Sequence, residues 1–304
     1  MPKVLITGAN GLLGQHLTSL LSGKKDWEIL ATARGANRLP FTDGYRYRSL
    51  DISKEAEVRS LVAEEKPDYV IHGAAMTQVD ACELQPADCW RTNVAATNYL
   101  WKAARTAGAF FAFISTDFIF DGQAGPYREE ALPNPVNYYG LSKLAAEMLL
   151  QGSEGGYAIL RTVLVYGVPA DPSRSNIVLW VKKSLEEGKT IQVVDDQWRT
   201  PTLVQDLATG CLQLLEKKEA AAALSPVYNL SGRDLLTPYA MARHIADHFG
   251  LDSSLIVRAD GSMFSQTAQR PVRTGFILER AEKELGYRPH SFSEGLAIVE
   301  DLLK

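Results

Sequence analysis

The sequence predicts an α/β fold: a doubly wound parallel sheet with helices on both faces, followed by a smaller C-terminal α/β lobe. Three observations carry this prediction. Short apolar runs alternate with helical periods through the first half of the chain, the order that yields parallel strands joined by helices. The first run, Val4-Leu5-Ile6, is continuously apolar, as a strand buried on both faces requires. From about residue 166 the alternation loosens into segments rich in Gly, Pro and Ser.

In chain order, Val4-Leu5-Ile6 is followed by a helix from about Gly11, with Leu13, Leu17, Leu20 and Leu21 on one face. Further strands are expected at Glu28 to Ala33, Tyr69 to His72, Phe110 to Ser115 and Tyr157 to Arg161, with helices near 54–65, 86–107 and 136–151. Pro86 near the start and Gly108 just past the end of the second of these show the expected asymmetry of helix termini. Tyr166 to Ser175 reads as a loop, and a helix near 203–216 is placed to pack back on the sheet. Thr237-Pro238 opens another helix that Gly250 closes. Two short amphipathic stretches within 278–304 flank Gly286-Tyr287-Arg288-Pro289. The expected division is a nucleotide-binding domain over 1–165 with 202–222, and a substrate-binding lobe over 166–201 and 223–304.

Composition narrows the function classes. The 304 residues are 46% hydrophobic and 22% charged with a net charge of −4, a globular balance lacking the basic tract that nucleic acid binding needs. No apolar run approaches the roughly 20 residues that span a bilayer, so no membrane partner is expected. Three cysteines without a Cys-x-x-Cys pair suit a reducing compartment. The chain opens directly on an apolar strand without the ordered regions of a signal peptide, and a cytoplasmic location is expected. His244 and His248 stand four apart but lack the His-Glu-x-x-His arrangement, so no metal site is expected.

Thr7-Gly8-Ala9-Asn10-Gly11-Leu12-Leu13-Gly14 joins the first strand to the first helix. Gly8 permits a sharp turn, Gly11 lets backbone approach a diphosphate, and Gly14 lets helix pack on strand. The helix start then offers N–H groups and partial positive charge to phosphates. Between a strand and a helix, this Gly-x-x-Gly-x-x-Gly spacing reads as a Rossmann-type dinucleotide turn, the competing reading being an ordinary tight strand-to-helix turn. The second strand ends at Arg34, where an acidic residue would bind ribose hydroxyls and an arginine accommodates a 2′-phosphate. NADP is therefore expected, with NAD as the alternative; the competing reading of Arg34 is a solvated surface arginine. Asp51 and Ile52 are positioned to flank the adenine. His72-Gly73-Ala74-Ala75 ends the fourth strand with small residues suited to a cofactor lying on backbone, His72 itself being read as packed.

Tyr139 and Lys143 lie four residues apart on one predicted helix, hence on one face. A cation beside the phenol is expected to lower its pKa from about 10 toward working pH, making Tyr139 a proton donor to a carbonyl that receives hydride. Ser115-Thr116-Asp117 ends the fifth strand, where an open sheet holds its ligand; Thr116 is suited to bond the substrate carbonyl. The loop Asp121 to Pro135 is expected to cover the substrate.

These residues resemble the extended short-chain dehydrogenase/reductase family, and within it the dTDP-4-dehydrorhamnose reductases. The specific marks are Ala74-Ala75-Met76-Thr77-Gln78-Val79-Asp80, Ser115 to Gly122, Asn137-Tyr138-Tyr139-Gly140-Leu141-Ser142-Lys143, Arg161-Thr162, Asp196-Gln197 with Pro201-Thr202, and Arg270-Pro271. The resemblance implies Thr116, Tyr139 and Lys143 as the catalytic set. The expected cofactor set is Gly8, Ala9, Asn10, Gly11, Leu12, Leu13, Gly14, Arg34, Asp51, Ile52, Ala74, Ala75, Thr77, Asn93 and Ser115 with Tyr139 and Lys143. The expected substrate set is Thr77, Val79, Thr116, Asp117, Asn176, Arg199 and Arg270, binding a nucleotide sugar whose 4-keto group is reduced. A homodimer is the expected assembly. Two departures stand out: Arg161-Thr162-Val163-Leu164 replaces the family's Arg-Thr-Ser-Trp, and Arg199 stands where glycine is usual, an arginine being typical there of nucleotide-sugar epimerases. A regulatory subunit of methionine adenosyltransferase also resembles these reductases while acting as a binding partner.

Overall fold

A computed structural model describes residues 1–219, 224–264 and 266–304. Its strands are β1 (Lys3–Thr7), β2 (Glu28–Ala33), β3 (Arg46–Ser49), β4 (Tyr69–His72), β5 (Phe110–Thr116), β6 (Tyr157–Thr162), β7 (Val165–Tyr166), β8 (Ile191–Val194), β9 (Thr202–Leu203), β10 (Val227–Asn229) and β11 (Ile256–Ala259). The helices are α1 (Leu12–Ser22), α2 (Glu55–Glu65), α3 (Val79–Leu84), α4 (Pro86–Trp90), α5 (Ala96–Ala107), α6 (Tyr138–Gln151), α7 (Ile177–Glu186), α8 (Val204–Glu219), α9 (Pro238–Phe249), α10 (Glu279–Glu284) and α11 (Phe292–Leu303).

Seven strands form one parallel sheet in the order β10-β6-β5-β4-β1-β2-β3. The strand order reverses between β1 and β4, so a crevice opens above their carboxyl ends. The strands that flank it are apolar on both faces: Val4, Leu5, Ile6, Val70 and Ile71 are wholly buried, because α1 and α8 cover one side while α2, α5 and α6 cover the other. Each side is an independent apolar layer, one built around Leu17, Leu21, Leu207 and Leu214, the other around Trp101, Phe111 and Phe113.

The second lobe has its own core, in which α7, α9 and α11 pack around Val178, Val181, Met241, Ile245, Leu296 and Val299. The two-stranded parallel sheet β8·β11 joins that core. Thr237 caps α9 by accepting from the Ala240 N–H, and Gly250 ends it at φ +64°, as the sequence suggested. The division between the lobes differs from expectation: β10 belongs to segment 223–304 yet pairs with β6 and completes the main sheet. Tyr228, Leu278, Leu285 and Tyr287 lie in the core of that sheet rather than in the second lobe. The expected boundary at 222/223 itself lies outside the described residues.

The helix anticipated at 86–107 is one continuous rod with a π-helical turn at Arg91–Ala95. Such turns concentrate at functional sites. Here it separates Arg91 and Thr92, which line the crevice, from Asn93, which is buried. Among the described residues, no helix is long and apolar enough to cross a membrane, and no cluster of His, Cys, Asp or Glu is arranged to hold a metal ion.

Candidate active site

The crevice is a cavity of about 1140 Å³ that runs from the glycine turn to the ends of β5 and β6. Gly8 takes φ +77°, and a Cβ there would stand 2.9 Å from the Ala74 backbone nitrogen. Glycine at this position therefore lets the end of β4 close onto the turn. A side chain on Gly14 would overlap the Gly8 carbonyl, which is how α1 packs tightly on β1. No side chain caps the start of α1 and no acid stands in its first turn, leaving a positive helix end facing the cavity.

Other residues expected at the cofactor divide into those that line the cavity and those that support it. Gly11, Leu12, Leu13, Arg34, Asp51, Ile52, Ala74, Ala75, Thr77 and Ser115 line it with Asn10. The Asn10 side chain is committed elsewhere: Oδ1 accepts from the Arg38 N–H at 2.9 Å and Nδ2 donates to the Ala36 carbonyl at 2.9 Å. It thus ties the loop bearing Arg34 to the glycine turn. Ala9 and Asn93 are fully buried and do not line the cavity. Asn93 instead bonds both backbone groups of Met76, at 2.8 and 3.0 Å, and donates to the Ser142 hydroxyl at 2.9 Å. It fastens the loop of Thr77 and Val79 to the helix carrying Tyr139. Ser115 lines the cavity, and its buried hydroxyl oxygen has no hydrogen-bond partner among the described residues. With the uncapped helix end and the glycine turn, these residues fit a dinucleotide.

Thr116 ends β5, and Tyr139 lies in the first turn of α6, where the Asn137 side chain caps the helix by accepting from the Gly140 N–H at 2.8 Å. A Cβ on Gly140 would overlap the Phe118 carbonyl oxygen. Its absence brings α6 against the segment that follows Thr116, so that Thr116 and Tyr139 line the same stretch of the cavity. One turn on, the Lys143 ammonium donates to the Ile114 carbonyl at 2.7 Å and lies 4.0 Å from the centre of the Phe113 ring.

The electrostatics of this group differ from expectation. Burial pushes the Tyr139 phenol well above its ordinary pKa, against the lowering effect of the neighbouring Thr116 hydroxyl and with a further push from the charge of Asp117. Burial also brings Lys143 down to about 7, opposed by the carboxylate of Glu147. Desolvation outweighs charge pairing because both groups are enclosed. His72 is held neutral, its pKa down to about 3 by burial and by Lys143. Its ring nitrogens meet Thr7 and Thr97 at 2.7 and 3.0 Å, the packed role the sequence suggested.

On the substrate side, Thr77, Val79, Thr116, Asp117, Asn176 and Arg199 line the cavity, whereas Arg270 does not. Arg270 forks onto Asp80 at 2.8 and 2.6 Å, bracing the residue after Val79. Asn176 spends its side chain capping α7 and bonding the Gly167 carbonyl at 2.7 Å. Arg199 is buried. It donates to the backbone carbonyls of Trp198, Pro271 and Val272 and to the Gln197 amide, packs over Phe118 at 5.5 Å, and faces Asp117 at 3.9 Å. Asp117 in turn bonds Thr116 and Thr274. These charges brace segment 270–274 against the end of β5.

The loop 121–135 does not line the cavity. Tyr127 stacks on Phe120 at 4.1 Å, and its backbone bonds Gly275 and Ile277, so this loop joins the core instead of covering a ligand. Residues that the sequence reading missed do line the cavity: Arg38, Gln78, Gln85, Arg91, Thr92, Leu164 and Arg174. Leu164 holds a left-handed backbone at φ +36°, a strained state for a branched side chain that clusters at ligand sites.

The chain matches the model of the RmlD substrate binding domain over residues 2–303. Its fold superposes with a TM-score of 0.85 on a dTDP-4-dehydrorhamnose reductase from Clostridium acetobutylicum, 29% identical, covering 99% of both chains. A dTDP-4-dehydrorhamnose reductase from Bacillus anthracis in complex with NADP gives 0.82 at 27% identity, covering 99% of this chain and 100% of that one. Methionine adenosyltransferase 2 subunit beta of Xenopus laevis is 36% identical over 252 residues, 83% of this chain and 73% of that protein. With its parallel seven-stranded sheet and glycine turn, the chain belongs to the RmlD substrate binding domain family, within the extended short-chain dehydrogenase/reductases.

Proposed function

We propose that the chain reduces the 4-keto group of a nucleotide sugar, with NADP as its dinucleotide and NAD as the alternative. The observation that carries this reading is that Thr116, Tyr139 and Lys143 line one cavity with the glycine turn. A reduced nicotinamide dinucleotide held there by the glycine turn would supply the hydride for the keto carbon. Thr116, which donates to Asp117 at 3.2 Å, turns its proton toward the keto oxygen and fixes its position. Tyr139 gives the proton that completes the alcohol. Because burial holds the phenol proton, Tyr139 is in its acid form across the neutral range. Negative charge that grows on the phenol during transfer favours the protonated form of Lys143.

General acid help of this kind is worth about 10²–10⁴-fold. With dTDP-4-dehydrorhamnose offered first among a panel of nucleotide sugars, NADPH consumption should require Tyr139. Tyr139→Phe should lose about 10²–10⁴ in turnover while still binding NADPH. Undiminished turnover in that variant refutes the role.

The likeness to methionine adenosyltransferase 2 subunit beta supports a second reading, a dinucleotide-holding regulatory subunit. Co-purification with a methionine adenosyltransferase, together with no NADPH consumption on any sugar, would favour it. An epimerase reading, drawn from Arg199, is weakened by the four oxygen acceptors that already occupy that guanidinium. Steady consumption of NADPH separates reduction from a self-contained epimerisation.

A further inference from the structure

The loop between β7 and α7 leaves its own lobe and lies against α1. Gln15 holds it by both ends of one amide: Nε2 donates to the Val168 carbonyl at 2.8 Å and Oε1 accepts from the Ala170 N–H at 2.8 Å. Further along the loop, one carboxylate faces two guanidiniums. Asp171 lies 3.5 Å from Arg38 Nη1 and 3.8 Å from Arg174 Nε. Neither arginine has another acidic partner among the described residues, so the cluster carries one net positive charge. It stands over the glycine turn, since Arg174 Nη1 is 3.8 Å from where a Cβ on Gly11 would be. Arg174, Arg38 and Gly11 all line the cavity that holds Tyr139. The first turn of α1 adds its own partial positive charge and no acid.

We propose that Arg174 is a cofactor-binding residue, gripping the dinucleotide's diphosphate where it lies over the glycine turn, with Asp171 setting its position. Gly11 is where backbone approaches a diphosphate, and a guanidinium matches two adjacent phosphate oxygens in a forked pair. The loop is therefore a strap from the second lobe that closes over the cofactor, and Gln15 is its anchor on the first. This rests on the dinucleotide reading of the cavity.

Fluorescence titration with NADPH and NADH, and displacement by ADP and by 2′-AMP, tests it. ADP carries the diphosphate alone and 2′-AMP the 2′-phosphate alone. In Arg174→Ala, NADPH, NADH and ADP should each bind about tenfold more weakly, as the loss of one charge-assisted pair implies, while 2′-AMP is unaffected. Arg174→Lys should regain part of the loss, and Arg34→Ala should show the reverse pattern, weakening 2′-AMP and NADPH but not ADP. Unchanged ADP binding in Arg174→Ala overturns the proposal. So does an equal loss on ADP and 2′-AMP, which would mean that the strap shapes the whole site rather than one contact. A wild-type protein that binds none of the four ligands overturns the dinucleotide reading itself, an outcome distinct from a wild type that binds and a variant that binds equally well.

Discussion

Arg161 places Nε and Nη2 at 3.1 and 2.7 Å from the two carboxylate oxygens of Glu147, in a part of the core where both side chains are buried. Its remaining nitrogen donates to the Glu129 carbonyl at 3.0 Å. Arg161 comes from β6 and Glu147 from α6, so the pair fixes the helix that carries Tyr139 and Lys143 onto the sheet. A buried pair is not in itself a large source of stability, but its halves cannot be separated cheaply. Glu147→Ala should therefore destabilise the fold by about 3–5 kcal/mol in chemical denaturation. Replacing both partners, Glu147→Leu with Arg161→Met, should recover much of that loss. If the double variant is as unstable as the single one, the pair is not what the cost measures.

Lys143 presents the opposite case, a charge the fold holds at a loss. Burial brings its pKa from 10.5 to about 7, and each unit of depression corresponds to about 1.4 kcal/mol. The unfolded chain binds more protons between these values, so the burden opposes folding fully below about pH 7 and fades as pH rises toward 10.5. Lys143→Met should raise Tm by several degrees at neutral pH, with the gain shrinking on the alkaline side, while turnover is lost. A variant no more stable than wild type across that range would show that the bond to Ile114 and the Phe113 ring compensate for the desolvation.

Strand and helix periods made most of the fold legible, because strands buried on both faces and helices with one apolar stripe leave distinct patterns. The exceptions have local causes. β10 is three residues, Val-Tyr-Asn, too short to show any period, so its place in the main sheet is a tertiary fact. The π-turn at Arg91–Ala95 has no compositional mark. The glycine turn, Thr116, Tyr139 and Lys143 meet in one cavity, and residue types at set spacings mark them in the sequence. Arg270 and Arg199 are assigned to the substrate by the family resemblance; the fold supplies each with partners that no spacing reveals. Arg38 and Arg174 were missed because their nearness arises from a loop crossing between lobes. The direction of the Tyr139 shift depends on enclosure, which sequence does not carry.

Gly140 gives the closest test of geometry without chemistry. Next to Tyr139 in α6, it stands where a Cβ would overlap the carbonyl oxygen of Phe118, the second residue after Thr116. Gly140→Ala must push the start of α6 away from β5 by a fraction of an ångström or more, separating the phenol from the threonine hydroxyl. Turnover should fall by about 10²-fold, the cost of a misplacement near 1 Å, with NADPH affinity kept within about threefold because the glycine turn is untouched. Preserved turnover would mean that the helix start can yield without moving the reacting groups.

Asp80 and Arg270 offer a test of substrate binding at a distance from the reacting centre. The forked pair, at 2.8 and 2.6 Å, holds Asp80 to about 2 chiefly through the Arg270 bond, so the carboxylate stays charged throughout the physiological range. Asp80 also accepts from the Ala268 N–H at 3.0 Å, and so joins segment 268–270 to the start of α3 beside Val79. Neither side chain reaches the cavity wall, whereas Thr77 and Val79 do. Arg270→Ala should therefore loosen the loop of Thr77 and Val79 and raise KM for the sugar several-fold. It should leave kcat and the NADPH Kd near wild type, because neither the hydride partner nor the proton donor moves. Arg270→Lys, which keeps charge but loses the fork, should fall between. A drop in kcat with KM unchanged would place Arg270 in the chemistry instead of in the scaffold of the binding loop.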